Sequence, residues 1–164
     1  MTRRYEIIPS EAQFMCVPAA ILTAMLQRGI VCSISQKDMA VAFGYIEGVG
    51  TQIQKPEYDP NKVFASFGIP LKFEYVPISK IPSVAEFVRI TNEIMGSGDD
   101  AIICHLVRGY GGHVSLLESV DDKIIRHACS SHGGRRIEQP TPYLFDCMVD
   151  HGDRNMAGIW VLRG

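Results

Sequence analysis

A chain of 164 residues, 46% apolar and 21% charged, with a formal net charge of -2, has the make-up of one ordinary globular domain. It is long enough to bury a core without metal or disulfide staples. The slightly acidic balance argues against a nucleic-acid binder, which presents a basic face, and no apolar run approaches the length of a membrane span.

The chain opens on MTRRYEIIPSEAQ, two arginines with no apolar h-region behind them, so no secretory signal is expected. RYEIIPS (4–10) reads as a short strand or extended arm. From Cys16 to Arg28, the residues Val17, Ala20, Ile21, Ala24, Met25 and Arg28 recur at spacings of three and four, a helical stripe that Gly29 ends. Pro18 suits the first turn, where its missing N–H costs nothing. A second helix is expected over 33–44, with Ser35 as cap and Gly44 as stop. Residues 45–60 lack periodicity and read as a loop. A short helix over 59–68 and a strand over 70–77 follow. PSVAEFVRITNEIMGSG (82–98) is the fourth helix, opened by Pro82 or Ser83.

DAIICHLVRG (100–109) is β-branched and apolar, hence a buried strand. YGGHVSLLESVDD (110–122) is a glycine turn and a strand, and 121–131 reads as its hairpin partner. A loop over 130–142, a short helix over 143–150 and a closing strand over 156–164 complete the chain. Helices gather in the first half and strands in the second, which favours an α+β domain spanning 1–164. The aromatic residues Phe73, Tyr75, Phe87 and Trp160 read as core.

The five cysteines are Cys16, Cys32, Cys104, Cys129 and Cys147. An odd count, irregular spacing and the lack of any CxxC pair argue against a disulfide framework and for a reducing, cytoplasmic setting. Cys16 stands apart because it falls where a helix begins. A thiol becomes a good nucleophile only as the thiolate, and the unpaired N–H groups of a helix start favour the anion. Such a thiolate needs a histidine from elsewhere in the chain. His113, behind Gly111-Gly112 and opening the strand HVSLLESV, is the best candidate, since the glycines leave room beside the backbone.

Competing constellations are weaker. His127, Cys129 and His132 are zinc-type ligands at no recognised spacing, so no metal is expected. Arg135 and Arg136 read as a solvated pair in a loop. GVG (48–50) lacks the setting of a dinucleotide site, and no cofactor is expected.

CVPAAILTAML and GGHVSLLESVDD together resemble the papain-like cysteine peptidases, in particular the compact bacterial kind that removes double-glycine leaders from bacteriocin precursors. PSEAQFMCVPAA is also similar to the catalytic start of phytochelatin synthases, papain-like enzymes of acyl transfer. Papain proper separates cysteine and histidine by about 130–150 residues. Here the separation is 97, which suits the compact versions. The resemblance implies a helical lobe carrying the cysteine, packed on a small antiparallel sheet carrying the histidine.

It also implies a cysteine peptidase or amidase acting on a peptide or protein. Cys16 would be nucleophile, His113 its base and acid, and the Cys16 N–H an oxyanion donor. The family's oxyanion glutamine has its nearest counterpart in Gln13, three residues before Cys16, while Ser10 and Glu11 stand at the usual spacing. Where the family has Asp or Asn after the histidine strand, this chain reads IIRHACSSH. Asp121, Asp122, Ser130, Asp150, Asp153 or a backbone carbonyl are left to orient His113. Two other readings use the same residues or the same fold: an acyltransferase, and a catalytically silent module that binds a peptide or protein.

Overall fold

The computed structural model describes residues 2–164. Helix α1 spans Cys16–Gln27, α2 Gln36–Ala42, α3 Pro60–Phe67, α4 Val84–Gly96 and α5 Thr141–His151. The strands are β1 (Lys72–Pro77), β2 (Asp100–Val107), β3 (Gly111–Val120), β4 (Ile124–Cys129), β5 (Arg135–Pro140) and β6 (Gly158–Arg163). They form one sheet in the order β1-β6-β2-β3-β4-β5, and every neighbouring pair is antiparallel.

Helix ends follow from local chemistry. The hydroxyls of Ser35 and Ser83 accept the backbone N–H of Asp38 and Glu86, and the Asp59 carboxylate accepts that of Asn61. Each satisfies an orphan donor of a first turn. Gly68 ends α3 in the left-handed conformation at φ 65°, where a Cβ would be strained.

Alternation along the strands gives the sheet two buried faces. Ile102, Cys104, Val114, Leu116, Ala128 and Trp160 turn to one side and pack with Ala20, Ile21 and Ala24 of α1 and with residues of α2 and α3. Ala101, Ile103, Leu117, Ile125, Ile159 and Val161 turn to the other and pack with α4 and α5. The α+β class is as expected, but the layering is richer than a helical lobe on a sheet, because α4 and α5 cover the far face. Phe87 and Trp160 are core residues, while Phe73 and Tyr75 pack half-buried at its margin.

Residues 4–10, read as a strand or an extended arm, form no strand. The segment is an arm held piecewise, with the Arg3 N–H on the Glu118 carbonyl, the Tyr5 N–H on the Glu118 carboxylate and the Ile8 N–H on the Thr23 hydroxyl. Residues 130–142 are more than a loop, since they contain β5 and the start of α5. RRIEQP carries little apolar signal because β5 is an edge strand, with an exposed–intermediate alternation. Arg136, read as solvated, instead pairs with the buried Glu118 at 3.1 Å and donates to the Tyr5 carbonyl.

Asp100, with no exposed surface, opens β2 and gathers the fold's ends. Its carboxylate accepts from Arg3 at 3.2 Å, from the Tyr5 hydroxyl at 2.5 Å and from Arg28, at the foot of α1, at 2.6 Å. Burial, followed by the nearby Asp100 charge, raises the Tyr5 phenol far above its ordinary range, so it stays a donor. Removing one partner of a buried charge leaves the others uncompensated. Asp100→Asn is therefore expected to lower the unfolding free energy by about 3 kcal/mol. Arg28→Met is expected to lower it less, because Arg3 and Tyr5 remain. Urea unfolding measures both, and a wild-type midpoint for Asp100→Asn would show that the node is not stabilising.

Candidate active site

Cys16 is the first residue of α1. The cap residue before it, Met15, offers no side-chain oxygen, and no acidic residue stands in the first turn. The first N–H to find a helical acceptor is that of Ala19, on the Met15 carbonyl at 3.2 Å. Among the described residues, the Cys16 and Val17 N–H groups carry no hydrogen bond, and Pro18 has none to offer. The positive end of the helix is thus concentrated on two donors beside the Cys16 thiol.

The approach to Cys16 is pinned. Phe14 adopts a left-handed φ of 64° and stacks on Tyr110 of the β2–β3 turn, with ring centroids 5.5 Å apart. The Tyr45 hydroxyl donates to the Gln13 carbonyl at 3.1 Å. The stacking joins the segment before Cys16 to the turn before His113, although the two lie far apart in sequence.

His113, the third residue of β3, lies directly across from His105 of β2. Alternation puts His105, His113 and His127 on the sheet face covered by α4 and α5, and all three are buried. The ring of His105 stands edge-on to those of His113 and His127, at 5.9 and 5.7 Å between centroids. His127 Nε2–H donates to Gln139 Oε1 at 2.5 Å, and its Nδ1 accepts from the Ser115 hydroxyl at 2.7 Å. Burial pushes His127 down to about 4, against the opposing pull of the Gln139 bond. His105 Nδ1 lies 3.3 Å from the Leu106 carbonyl, to which it donates, and its buried Nε2 has no partner. Burial, then the neighbouring His127 and His113, push His105 down to about 3.

Two clefts meet at these residues. The larger, a cavity of about 640 Å³, is walled by Gln13, Arg108, Tyr110, Arg135 and Tyr143, among others, with the three histidines and Cys129. The smaller, about 380 Å³, is lined by residues 49–51, Ile53, Gln54, His151, Met156 and Trp160. Phe14, Cys16, Gly112 and His113 belong to both. A Cβ at Gly112 would lie 2.8 Å from the His151 imidazole, so a larger residue there would require that side chain to shift. Residues from both of the segments read as loops, 45–60 and 130–142, line the clefts.

Cys16, His113 and Gln13 thus share one cavity. Cys16 and His113 make no hydrogen bond with each other, and the Gln13 side chain makes none among the described residues. The residues considered for orienting His113 are engaged elsewhere. Asp121 accepts the N–H groups of Lys123 and Ile124, Ser130 pairs with Ser10 at 2.6 Å, Asp150 pairs with Arg108 at 2.8 Å, and Asp153 accepts the Ser79 N–H. Asp122 makes no hydrogen bond with the ring either. The atom on His113 Nε2 is Cys129 Sγ, at 3.1 Å. Sequence spacing alone does not mark Cys129 for this role. Its period-two spacing from His127 was visible, but the β3–β4 register that delivers it is shifted by a bulge between Leu117 and Ser119.

No family model matches the sequence, and no curated protein matches it. Among solved structures, the chain is similar to the peptidase domain of Streptococcus ComA, a bi-functional ABC transporter involved in a quorum-sensing pathway. The TM-score is 0.61 at 8% sequence identity, over 98% of this chain and 97% of that one. The likeness is one of fold, the α+β arrangement of five helices and a six-stranded antiparallel sheet. No helix among the described residues is long and apolar enough to cross a membrane.

Two buried, neutral histidines fix a pH dependence. An unfolded imidazole takes up its proton near 6.5, while folded His127 and His105 resist protonation down to about 4 and about 3. Their stability contribution is complete above pH 6.5 and is lost as pH falls, because only the unfolded chain gains protons there. Each contributes a slope of about 1.4 kcal/mol per pH unit. Unfolding free energy is expected to fall from pH 6.5 to 5, ahead of the carboxylates, and to fall less steeply in His127→Asn. Equal slopes in the two proteins would mean that His127 is not held neutral.

Proposed function

We propose that the chain is a thiol-dependent hydrolase that cleaves a peptide or amide bond, with Cys16 as nucleophile and His113 as its base and acid. One observation carries the reading: two clefts share four lining residues, and a helix-start cysteine and a histidine are two of them. A peptide occupying both clefts would lie against that pair. The fold likeness to a peptidase domain supports the same conclusion.

In this mechanism the Cys16 thiol gives its proton to His113, and the thiolate attacks the carbonyl carbon. The carbonyl oxygen becomes an oxyanion held by the Cys16 and Val17 N–H groups, with Gln13 available from the cavity wall. Collapse breaks the C–N bond, and the amine leaves with the proton from His113. Water, deprotonated by the same imidazole, then hydrolyses the thioester and frees the thiol. Apo sites often hold such pairs too far apart for a hydrogen bond and close them on substrate. An amine or thiol in place of water would make the enzyme an acyltransferase, and product analysis separates the two.

Peptides carrying an electrophilic carbonyl at one end test the reading. Cys16 is expected to be the labelled residue, at a rate that falls at least about 100-fold in His113→Ala. Equal labelling of the wild type and His113→Ala would overturn the mechanism. An unreactive Cys16 with retained peptide binding would make the domain a silent binding module instead, a reading favoured by the absent Cys16–His113 hydrogen bond.

A further inference from the structure

We propose that Cys129 is the positioning residue of His113, its Sγ orienting the imidazole from the Nε2 side so that Nδ1 is left for Cys16. The inference rests on the reading of Cys16 and His113 as a catalytic pair.

Cys129 ends β4, is 2% exposed and shares a hydrogen bond with His113 Nε2 at 3.1 Å. Nδ1 of the same ring has no partner among the described residues. The thiol is held from both flanks. Cys129 is paired with Arg135 of β5, and the next residue, Ser130, accepts the Ser10 N–H at 2.9 Å and shares a hydroxyl contact with Ser10. Those contacts lock the sulfur to the arm that leads into Cys16.

When His113 takes the Cys16 proton, both ring nitrogens become donors. A buried N–H without an acceptor would penalise the imidazolium, and the sulfur supplies the acceptor. A thiol is a weak acceptor without charge, so it fixes the ring's direction while doing little to stabilise the cation. His105, neutral and edge-on to the same ring, adds no negative charge either. A carboxylate at position 129 would keep the direction and add the charge.

The test is the alkylation rate of Cys16 by iodoacetamide from pH 4 to 9, resolved by mass spectrometry, with thermal melting as a check on folding. The proteins compared are the wild type, Cys129→Ser, Cys129→Ala, Cys129→Asp and His113→Ala. Cys129→Ser is expected to track the wild type, since the hydroxyl also accepts. Cys129→Ala is expected to move the midpoint of the rate profile upward, and Cys129→Asp to move it downward by about one pH unit, about tenfold in rate below the midpoint. Should the aspartate variant fail to fold, Cys129→Asn replaces it, with an expected profile closer to the wild type than that of Cys129→Ala.

A cysteine that merely fills space would change the melting temperature and leave the Cys129→Ala profile superimposable on the wild type, which overturns the proposal whatever the charged aspartate does. If His113→Ala abolishes the low-pH reactivity and the Cys129 variants do not alter it, positioning fails while the catalytic pair stands. If His113→Ala changes nothing, the pair itself fails. Low-pH labelling of Cys129 in place of Cys16 also overturns the proposal, because it would make Cys129 the reactive thiol.

Discussion

The buried carboxylate of Asp100 is the constraint on which the rest of the molecule hangs. A charge without exposed surface is tolerated only when paired and hydrogen-bonded. Arg3, Tyr5 and Arg28 meet that requirement from the N-terminal arm and the foot of α1. Arg28 also donates to the carbonyls of Gly98 and Leu162, so the foot of α1 is fixed to β6 as well. A helix of twelve residues spans about 18 Å. Fixing its foot leaves the other end, with Cys16, little freedom except rotation, which the stacked Phe14 and Tyr110 remove. The network stands about one helix length from the thiol, yet it decides where the thiol can be.

A second constraint comes from the sheet. Burying three imidazoles on one face is costly unless each is neutral and oriented. His127 meets this through Ser115 and Gln139, and His105 through one carbonyl. The unpartnered Nε2 of His105 is the part left unsatisfied, and it lies in the layer that holds His113. The polar cost is concentrated at one end of the sheet and absent from the rest of that face, where Ile103, Leu117 and Ile159 pack apolar surface. Local polar cost of this kind is tolerated where chemistry requires it.

Most elements were legible because their signals are local. Ser35, Ser83, Asp59 and Gly68 mark helix ends by chemistry contained within a few residues. The apolar stretch of β2 announces burial on both faces. Features that depend on distant partners were not legible. The edge strand β5 has little apolar pattern to show, and Arg136 looks solvated until Glu118 and Tyr5 are brought beside it. Glu118 is available because it sits in the β3–β4 bulge, an irregularity no spacing rule supplies. The same bulge conditions the approach of Cys129 to His113. The cysteine at the helix start and the histidine after two glycines could be picked out, because helix position and glycine room are local properties.

Five thiols share this small domain, and their surroundings separate them. Burial, with Cys16 close by, pushes Cys104 far above the ordinary thiol range, so a neighbour of Cys16 is kept as an inert, protonated sulfur. Cys129 and Cys147 are buried, and Cys32 lines neither cleft. Cys16 alone combines partial exposure, a place in both clefts and a helix start with free N–H groups. One rigid element therefore carries both the nucleophilic atom and the donors that would receive the charge it creates. Their relative geometry is set by the first turn of α1 and does not depend on a side chain reaching in. A displaced Gln13 is then a smaller loss than a displaced helix would be, and the demand for accuracy passes to the opposite strand, where the direction of one imidazole is held by a sulfur.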